Sequence, residues 1–250
     1  MRQLLSKVRR AVDDYNMIND GDKVAVGLSG GKDSLTLLSA LAELRKFYPQ
    51  NFEVIAITLD MGFPDSDFSA LSEYCKSLNI QFILVKTEIA PVVFDIRKEK
   101  NPCSLCAKMR RGALHDAAKS AGCNKIALGH HFDDAVETFF LSLFYEGRIS
   151  CFSPVTYLDR KDITLIRPLI YMHEKDIRGF ARKNELPIYK NPCLANGNTQ
   201  RQFVKDLLFQ LEKSNRGLRE RIFGAMCRSG VGGFIQPQIG RKVYKTKDNE

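Results

Sequence analysis

Val24 to Ser34, VAVGLSGGKDS, decides more about this chain than any other stretch. Val24 to Leu28 is an apolar run of strand length, and it feeds a turn holding two adjacent glycines, a lysine, an aspartate and two serines. Gly27, Gly30 and Gly31 can take backbone angles that cost other residues energy, so successive N–H groups can converge on one anion. A helix beginning near Ser34 would add its positive end to that cradle. Ser29, Gly30, Gly31, Lys32, Asp33 and Ser34 are therefore candidate nucleotide contacts, with Lys32 and Asp33 the chemically active pair. The Walker A pattern, Gly-x-x-x-x-Gly-Lys followed by Ser or Thr, is excluded, because Val26 stands where its first glycine belongs and Asp33 follows Lys32.

Outward from this turn, Val24 to Leu28, Val54 to Leu59, Ile80 to Val85, Lys125 to Leu128 and Thr164 to Arg167 read as buried strands, with helical patterns between them. Such alternation predicts an α/β fold with a doubly wound, parallel, five-stranded sheet. Ligands of such sheets bind beyond the carboxyl ends of the strands, where Ser29, Asp60 and the turn Gly129-His130-His131-Phe132-Asp133-Asp134 all fall. From about Asn196 onward the strand signal stops and helical periodicity takes over at Phe203, Leu207, Leu208, Leu211, Leu218 and Ile222. The expected division is a nucleotide-binding domain over residues 1–195 and a helical extension with a basic tail over 196–250.

A chain of 250 residues suffices for one substantial core. Met1 to Val12 is charged and amphipathic, with Leu4, Leu5, Val8 and Val12 on one face, so it lacks the apolar centre of a signal peptide, and no stretch has the length of a membrane span. Seven cysteines without an export signal imply reduced thiols and a cytoplasmic location. The formal net charge of +9 is clustered at the start, around Lys108, Arg110 and Arg111, and near the end, which fits a polyanionic partner such as nucleic acid.

Asp134, with Asp133 second, is placed to hold Mg²⁺ near a triphosphate, a hard cation that takes oxygen ligands; helix capping is the other use of an aspartate there. Cys103-Ser104-Leu105-Cys106 leads into a helical stretch over Ala107 to Ser120, and Cys193 stands apart beside Pro192. Two close thiolates and one distant one suggest a metal site joining two loops. Three thiolates can hold three irons of a [4Fe–4S] cluster and leave the fourth open, whereas zinc would need another ligand, for which His115 is the candidate. A redox pair or unrelated buried thiols fit the spacing as well. Cys75, Cys123, Cys151 and Cys227 lie in apolar or helical contexts and read as packing residues.

Ser29-Gly30-Gly31-Lys32-Asp33-Ser34 resembles the PP-loop of the ATP pyrophosphatases, which split ATP between its α and β phosphates and activate a carbonyl oxygen as an adenylate. With Cys103-Ser104-Leu105-Cys106, Arg110-Arg111-Gly112, Leu128-Gly129-His130-His131, Asp133-Asp134, Arg167-Pro168-Leu169, Glu174-Lys175-Asp176-Ile177, Cys193 and Gln200-Arg201-Gln202, the chain resembles the tRNA 2-thiocytidine biosynthesis family over roughly residues 1–210. The resemblance implies a homodimeric cytoplasmic enzyme that adenylates O2 of a tRNA cytidine at position 32 and replaces it with sulfur from a cysteine desulfurase or sulfide. It further implies ATP, Mg²⁺ and a [4Fe–4S] cluster on Cys103, Cys106 and Cys193. Rival readings are a 2-thiouridine synthetase, a lysidine synthetase, or a non-enzymatic RNA-binding iron–sulfur protein.

Overall fold

A computed structural model describes residues 1–97, 102–189, 193 and 200–236. The chain runs α1 (Arg2–Asp14), β1 (Asp22–Gly27), α2 (Lys32–Leu44), β2 (Phe52–Asp60), α3 (Ser69–Ser77) and β3 (Gln81–Lys86). A π-helical turn (Pro91–Arg97) precedes α4 (Pro102–Ser120), β4 (Lys125–Ala127), α5 (Phe132–Tyr145), β5 (Val155–Leu158), β6 (Ile163–Ile166) and α6 (Glu174–Lys183). Helices α7 (Gln200–Ser214) and α8 (Leu218–Arg228) follow.

The sheet has six strands in the order β3-β2-β1-β4-β6-β5, parallel throughout except at β5. All five expected strands are present and β5 is the addition, but β3, read as buried, is a half-exposed edge strand. Strand β5 is a four-residue edge strand in a hairpin with β6, with Val155 opposite Ile166. One such short, half-exposed strand is too brief to display a period, which is why pattern alone passed over it.

Neighbouring residues along the central strands serve opposite layers, as the pleat requires. Val24, Val26, Val54 and Ala56 join the larger core with residues of α1, α2, α5 and α6. Ala25, Ile55, Ile57 and Ile126 face the other side, closed by Ala118 of α4 and the flanking Leu114. The larger core continues through Val204 and Leu208 of α7 and Phe223 and Met226 of α8. The helical pattern beyond residue 200 is broken at Gly217, whose φ of +76 places it in the left-handed region that stops a helix. The expected domain boundary at 195–196 and the basic tail beyond 236 lie outside the described residues.

Helices therefore cover both faces, and the winding reverses between β1 and β4. The loops after these two strands diverge from that crevice, the place where open α/β sheets hold ligands. Among the described residues no helix is long and apolar enough to cross a membrane.

Candidate active site

Helix α2 begins at Lys32, two residues earlier than periodicity indicated, so Lys32 and Asp33 belong to its first turn and the free amides of the helix point into the loop. Leu35, Leu37, Leu38, Leu41 and Leu44 are fully buried and anchor the helix in the core. Gly30 has φ +78, and a Cβ there would stand 2.5 Å from Tyr189 Cβ. The Tyr189 N–H also donates to Gly30 O at 2.9 Å. Inside the turn, Ser29 Oγ and Ser34 Oγ lie 3.1 Å apart, Ser34 Oγ donates to Gly31 O at 3.0 Å, and Thr58 Oγ1 of β2 donates to Leu28 O at 2.8 Å. The loop is thus held in shape from the sheet, from its own helix and from Tyr189.

Lys32 Nζ lies 3.0 Å from Asp33 Oδ2 and 3.2 Å from Glu174 Oε1. Burial works against its charge, but the two carboxylates outweigh that and hold its pKa above the ordinary lysine value. Burial likewise opposes ionisation of Glu174, and Lys205 and Lys32 overcome it, drawing its pKa down to about 2.

The turn after β4 packs directly on this helix start. A Cβ on Gly129 would meet the carbonyl carbon of Asp33 and the amide nitrogen of Ser34 at 3.1 Å, so any larger residue would have to push the helix start back by a few tenths of an ångström. His131 caps α5 reciprocally with Asp134: Asp134 N donates to His131 Nδ1 at 3.4 Å, and His131 N to Asp134 Oδ2 at 3.0 Å. His131 Nε2 also lies 3.7 Å from Asp33 Oδ1, an oxygen that is buried with no hydrogen-bond partner among the described residues. Arg201 of α7 reaches over, 3.7 Å from Asp134 Oδ1 and 3.6 Å from Glu137 Oε2. Burial, reinforced by Asp134, pushes Glu137 up to about 7.

The adjacent aspartates part company. Asp133 accepts the Glu174 N–H at 2.7 Å and pairs with Arg219 Nη1 at 2.6 Å, so it ties α5 to α6 and α8. Asp134 Oδ1 faces only the half-exposed Arg201 at 3.7 Å, a longer and weaker contact than the 2.6 Å pair that occupies Asp133, which leaves Asp134 the better magnesium candidate of the two. Asp60 stands at the carboxyl end of β2, where its Oδ1 accepts the Gly62 N–H at 3.0 Å and closes its own turn.

Cys103 and Cys106 lie on α4 itself, which starts at Pro102 rather than at Ala107; proline favours the first helical position because its missing N–H has no partner to lose there. Their i, i+3 spacing puts both thiols on one helix face. Burial raises the Cys106 pKa, Arg110 opposes, and Cys193 and Cys103 both add to the rise, so the three sulfurs share one neighbourhood. His115 is excluded as a fourth ligand, since nine residues of helix beyond Cys106 carry it about 13 Å along the axis; its charged neighbours are Asp116, Arg111 and Lys161. Among the described residues no three His, Cys, Asp or Glu side chains are already drawn into metal-ligand geometry. Cys75, Cys123 and Cys227 are buried, and Cys151 is half-buried with its thiol donating to Ala135 O at 3.4 Å, as packing thiols should be.

Cys193 lies four residues after Tyr189, the residue packed on Gly30. Four residues of chain reach at most about 14 Å, so Cys193 lies within that distance of the residue that packs on the nucleotide loop. Nothing in the spacing of the sequence marked Tyr189, and Arg219 looked like one surface charge among many. Glu174 stands within the motif Glu174-Lys175-Asp176-Ile177, but nothing in the sequence paired it with Lys32.

Residues 2–212 match the PP-loop domain family. The tRNA-cytidine(32) 2-sulfurtransferase 1 of Francisella tularensis subsp. novicida (strain U112) is 39% identical over 99% of this chain and 94% of its own length. The chain belongs to the PP-loop family, with the tRNA-cytidine(32) 2-sulfurtransferases. Another such relative, from Pseudomonas putida (strain GB-1), is 43% identical over 90% of this chain and 84% of its own. Among solved structures, the U34-tRNA thiolase NcsA from Methanococcus maripaludis with its [4Fe-4S] cluster superimposes with a TM-score of 0.74 at 27% identity, over 90% of this chain and 77% of that one. The turn Ser29 to Ser34, the stretch that resembles the PP-loop, lies inside the matched residues, and Tyr189 and Gly129 pack against it.

Proposed function

We propose that this PP-loop protein is an ATP-dependent tRNA-cytidine 2-sulfurtransferase, with cytidine 32 as its target. The observation that carries the proposal is a phosphate cradle together with three thiols that share one neighbourhood, in a chain related along nearly its whole length to enzymes of that name. A carbonyl oxygen is a poor leaving group, and the first half-reaction remedies this. O2 of the cytosine attacks the α-phosphorus of ATP, pyrophosphate leaves, and O2 becomes part of an adenylate. Lys32 and the amides at the start of α2 neutralise charge that grows on the phosphate oxygens, an effect worth about 100- to 1,000-fold per donor in comparable sites. Magnesium, held mainly by phosphates, needs only one or two protein carboxylates, and Asp134 fits that part better than Asp133.

In the second half-reaction a C–S bond replaces the C2–O bond and AMP leaves. Cys103, Cys106 and Cys193 fit a [4Fe–4S] cluster in donor chemistry and number, with Arg110 beside Cys106 favouring the thiolate. Such a cluster supplies, when bound, one iron with an open position at which a sulfur atom can be held for transfer. A homodimer, a cytoplasmic location and sulfur delivered as sulfide, or by a cysteine desulfurase together with two electrons from a thiol reductant, complete the proposal.

Protein purified without oxygen is to be assayed for iron, acid-labile sulfide, tRNA-dependent AMP and tRNA nucleosides. The proposal expects about four iron and four sulfide per chain and 2-thiocytidine in the tRNA. Lys32→Ala should stop AMP formation while sparing iron. Thiouridine or lysidine as product would replace the proposed substrate, and ATP binding without tRNA-dependent AMP would leave an RNA-binding protein.

A further inference from the structure

Lys32 is held by a residue that lies far away in the chain. Glu174 opens α6 and meets Lys32 Nζ through Oε1 at 3.2 Å and Lys205 Nζ of α7 through Oε2 at 2.8 Å. Arg178, one turn on, approaches Oε1 at 3.2 Å. The Glu174 amide donates to Asp133, which Arg219 grips in turn, so both the main chain and the side chain of Glu174 are fixed. Its side chain is 15% exposed and that of Lys32 is 26%, so little water competes for the contact. Lysine has four rotatable bonds and a point charge, and with only its neighbour Asp33 as partner it would fold back along its own helix. A carboxylate on a separate, rigid element holds the ammonium across the loop instead.

We infer that Glu174 is a positioning residue for adenylation, fixing Lys32 where charge develops on the phosphate without itself touching ATP. The inference rests on the function proposed above. Ground-state ATP remains held by the loop amides and the helix start, contacts that do not depend on Glu174. Its loss therefore falls on the transition state, and on kcat rather than KM.

The test is steady-state tRNA-dependent AMP formation by the full chain and its variants Glu174→Gln, Glu174→Asp and Lys205→Met, with melting temperatures as the check on folding. Glu174→Gln should lower kcat about tenfold or more, with KM for ATP within about threefold of wild type. Glu174→Asp should restore part of kcat, because it returns the charge one methylene short. Lys205→Met should lower kcat less than Glu174→Gln does, since it removes the α7 contact of Glu174 and leaves the Lys32 contact in place. Wild-type kcat in Glu174→Gln would overturn the inference, and so would a Lys205→Met variant as slow as Glu174→Gln, which would make Glu174 a support for α7. Should Glu174→Gln melt early, Glu174→Asp decides alone: reduced kcat at unchanged KM supports the inference and full kcat overturns it. Wild-type protein that forms no AMP with tRNA would instead refute the proposed function.

Discussion

Gly30→Ala puts a methyl group where the PP-loop has no room. At φ +78 an alanine sits in the left-handed region, which costs a Cβ-bearing residue about 1–2 kcal/mol. The new Cβ would also stand 2.5 Å from Tyr189 Cβ, against a normal carbon separation of about 3.5–4.0 Å. No rotamer of Tyr189 relieves this, because the clashing atom is the one fixed to its backbone. The backbone must move, straining the Tyr189 N–H to Gly30 O bond of 2.9 Å and the packing of the Tyr189 ring on Phe68, 4.9 Å between centroids. Overpacking of this kind costs about 1–3 kcal/mol, so the whole change costs about 2–5 kcal/mol. At about 2–4 °C per kcal/mol for a domain of this size, the melting temperature should fall by roughly 4–20 °C. ATP should no longer raise it, since the loop amides lose their alignment. Gly31→Ala is the contrast, with φ −75 and its nearest neighbour, Ser29 Oγ, at 3.5 Å, so its melting temperature should stay near wild type. In the Gly30→Ala background, Tyr189→Gly should recover more stability than Tyr189→Ala, which keeps the clashing carbon. Thermal melts with and without ATP read all of this. A Gly30→Ala protein that melts with wild type and is still stabilised by ATP would refute the reasoning.

Cys193→Ala should leave the melting temperature close to wild type, since Cys193 is only half-buried, and abolish 2-thiocytidine in nucleoside mass spectrometry; undiminished product would remove Cys193 from the site. Glu137 is raised from its ordinary 4.5 to about 7, so the unfolded chain ionises there while the folded one still holds its proton, and stability falls as pH rises through that window. Glu137→Gln should therefore gain stability relative to wild type between about pH 5 and 7 in denaturant titrations, and a pH-independent difference would contradict it. Asp133→Ala should destabilise the protein by about 1–3 kcal/mol in denaturant titrations, because it strands the half-buried Arg219 and removes the acceptor of the Glu174 N–H. Asp134→Asn should instead raise the magnesium needed for half-maximal AMP formation, and an unchanged magnesium dependence would assign the ion elsewhere.

Legibility followed the range of each interaction. The strand–loop–helix at Val24 to Ser34 was readable because everything that makes it is local: an apolar run, glycines for the turn and a helix start within eleven residues. The four inner strands were readable because burial on both faces leaves continuous apolar runs, and the edge strand β3 was readable because its own apolar run is long enough although it is half-exposed. Cys103 and Cys106 declared themselves by spacing, yet spacing placed them ahead of a helix when they are on it. Of two adjacent aspartates, only the packing of α6 and α8 separates Asp133 as a structural tie from Asp134.

The amino-acid sequence by itself determined the α/β class, the PP-loop and the residue types available for chemistry, because periodicity, glycine freedom and helix starts act over a few neighbouring residues. The tertiary structure alone decided that Tyr189 shapes the loop, that Glu174 faces Lys32 and that Cys193 comes to Cys106. Those contacts join segments far apart in the chain, and their energies depend on distance and burial, which no local pattern encodes.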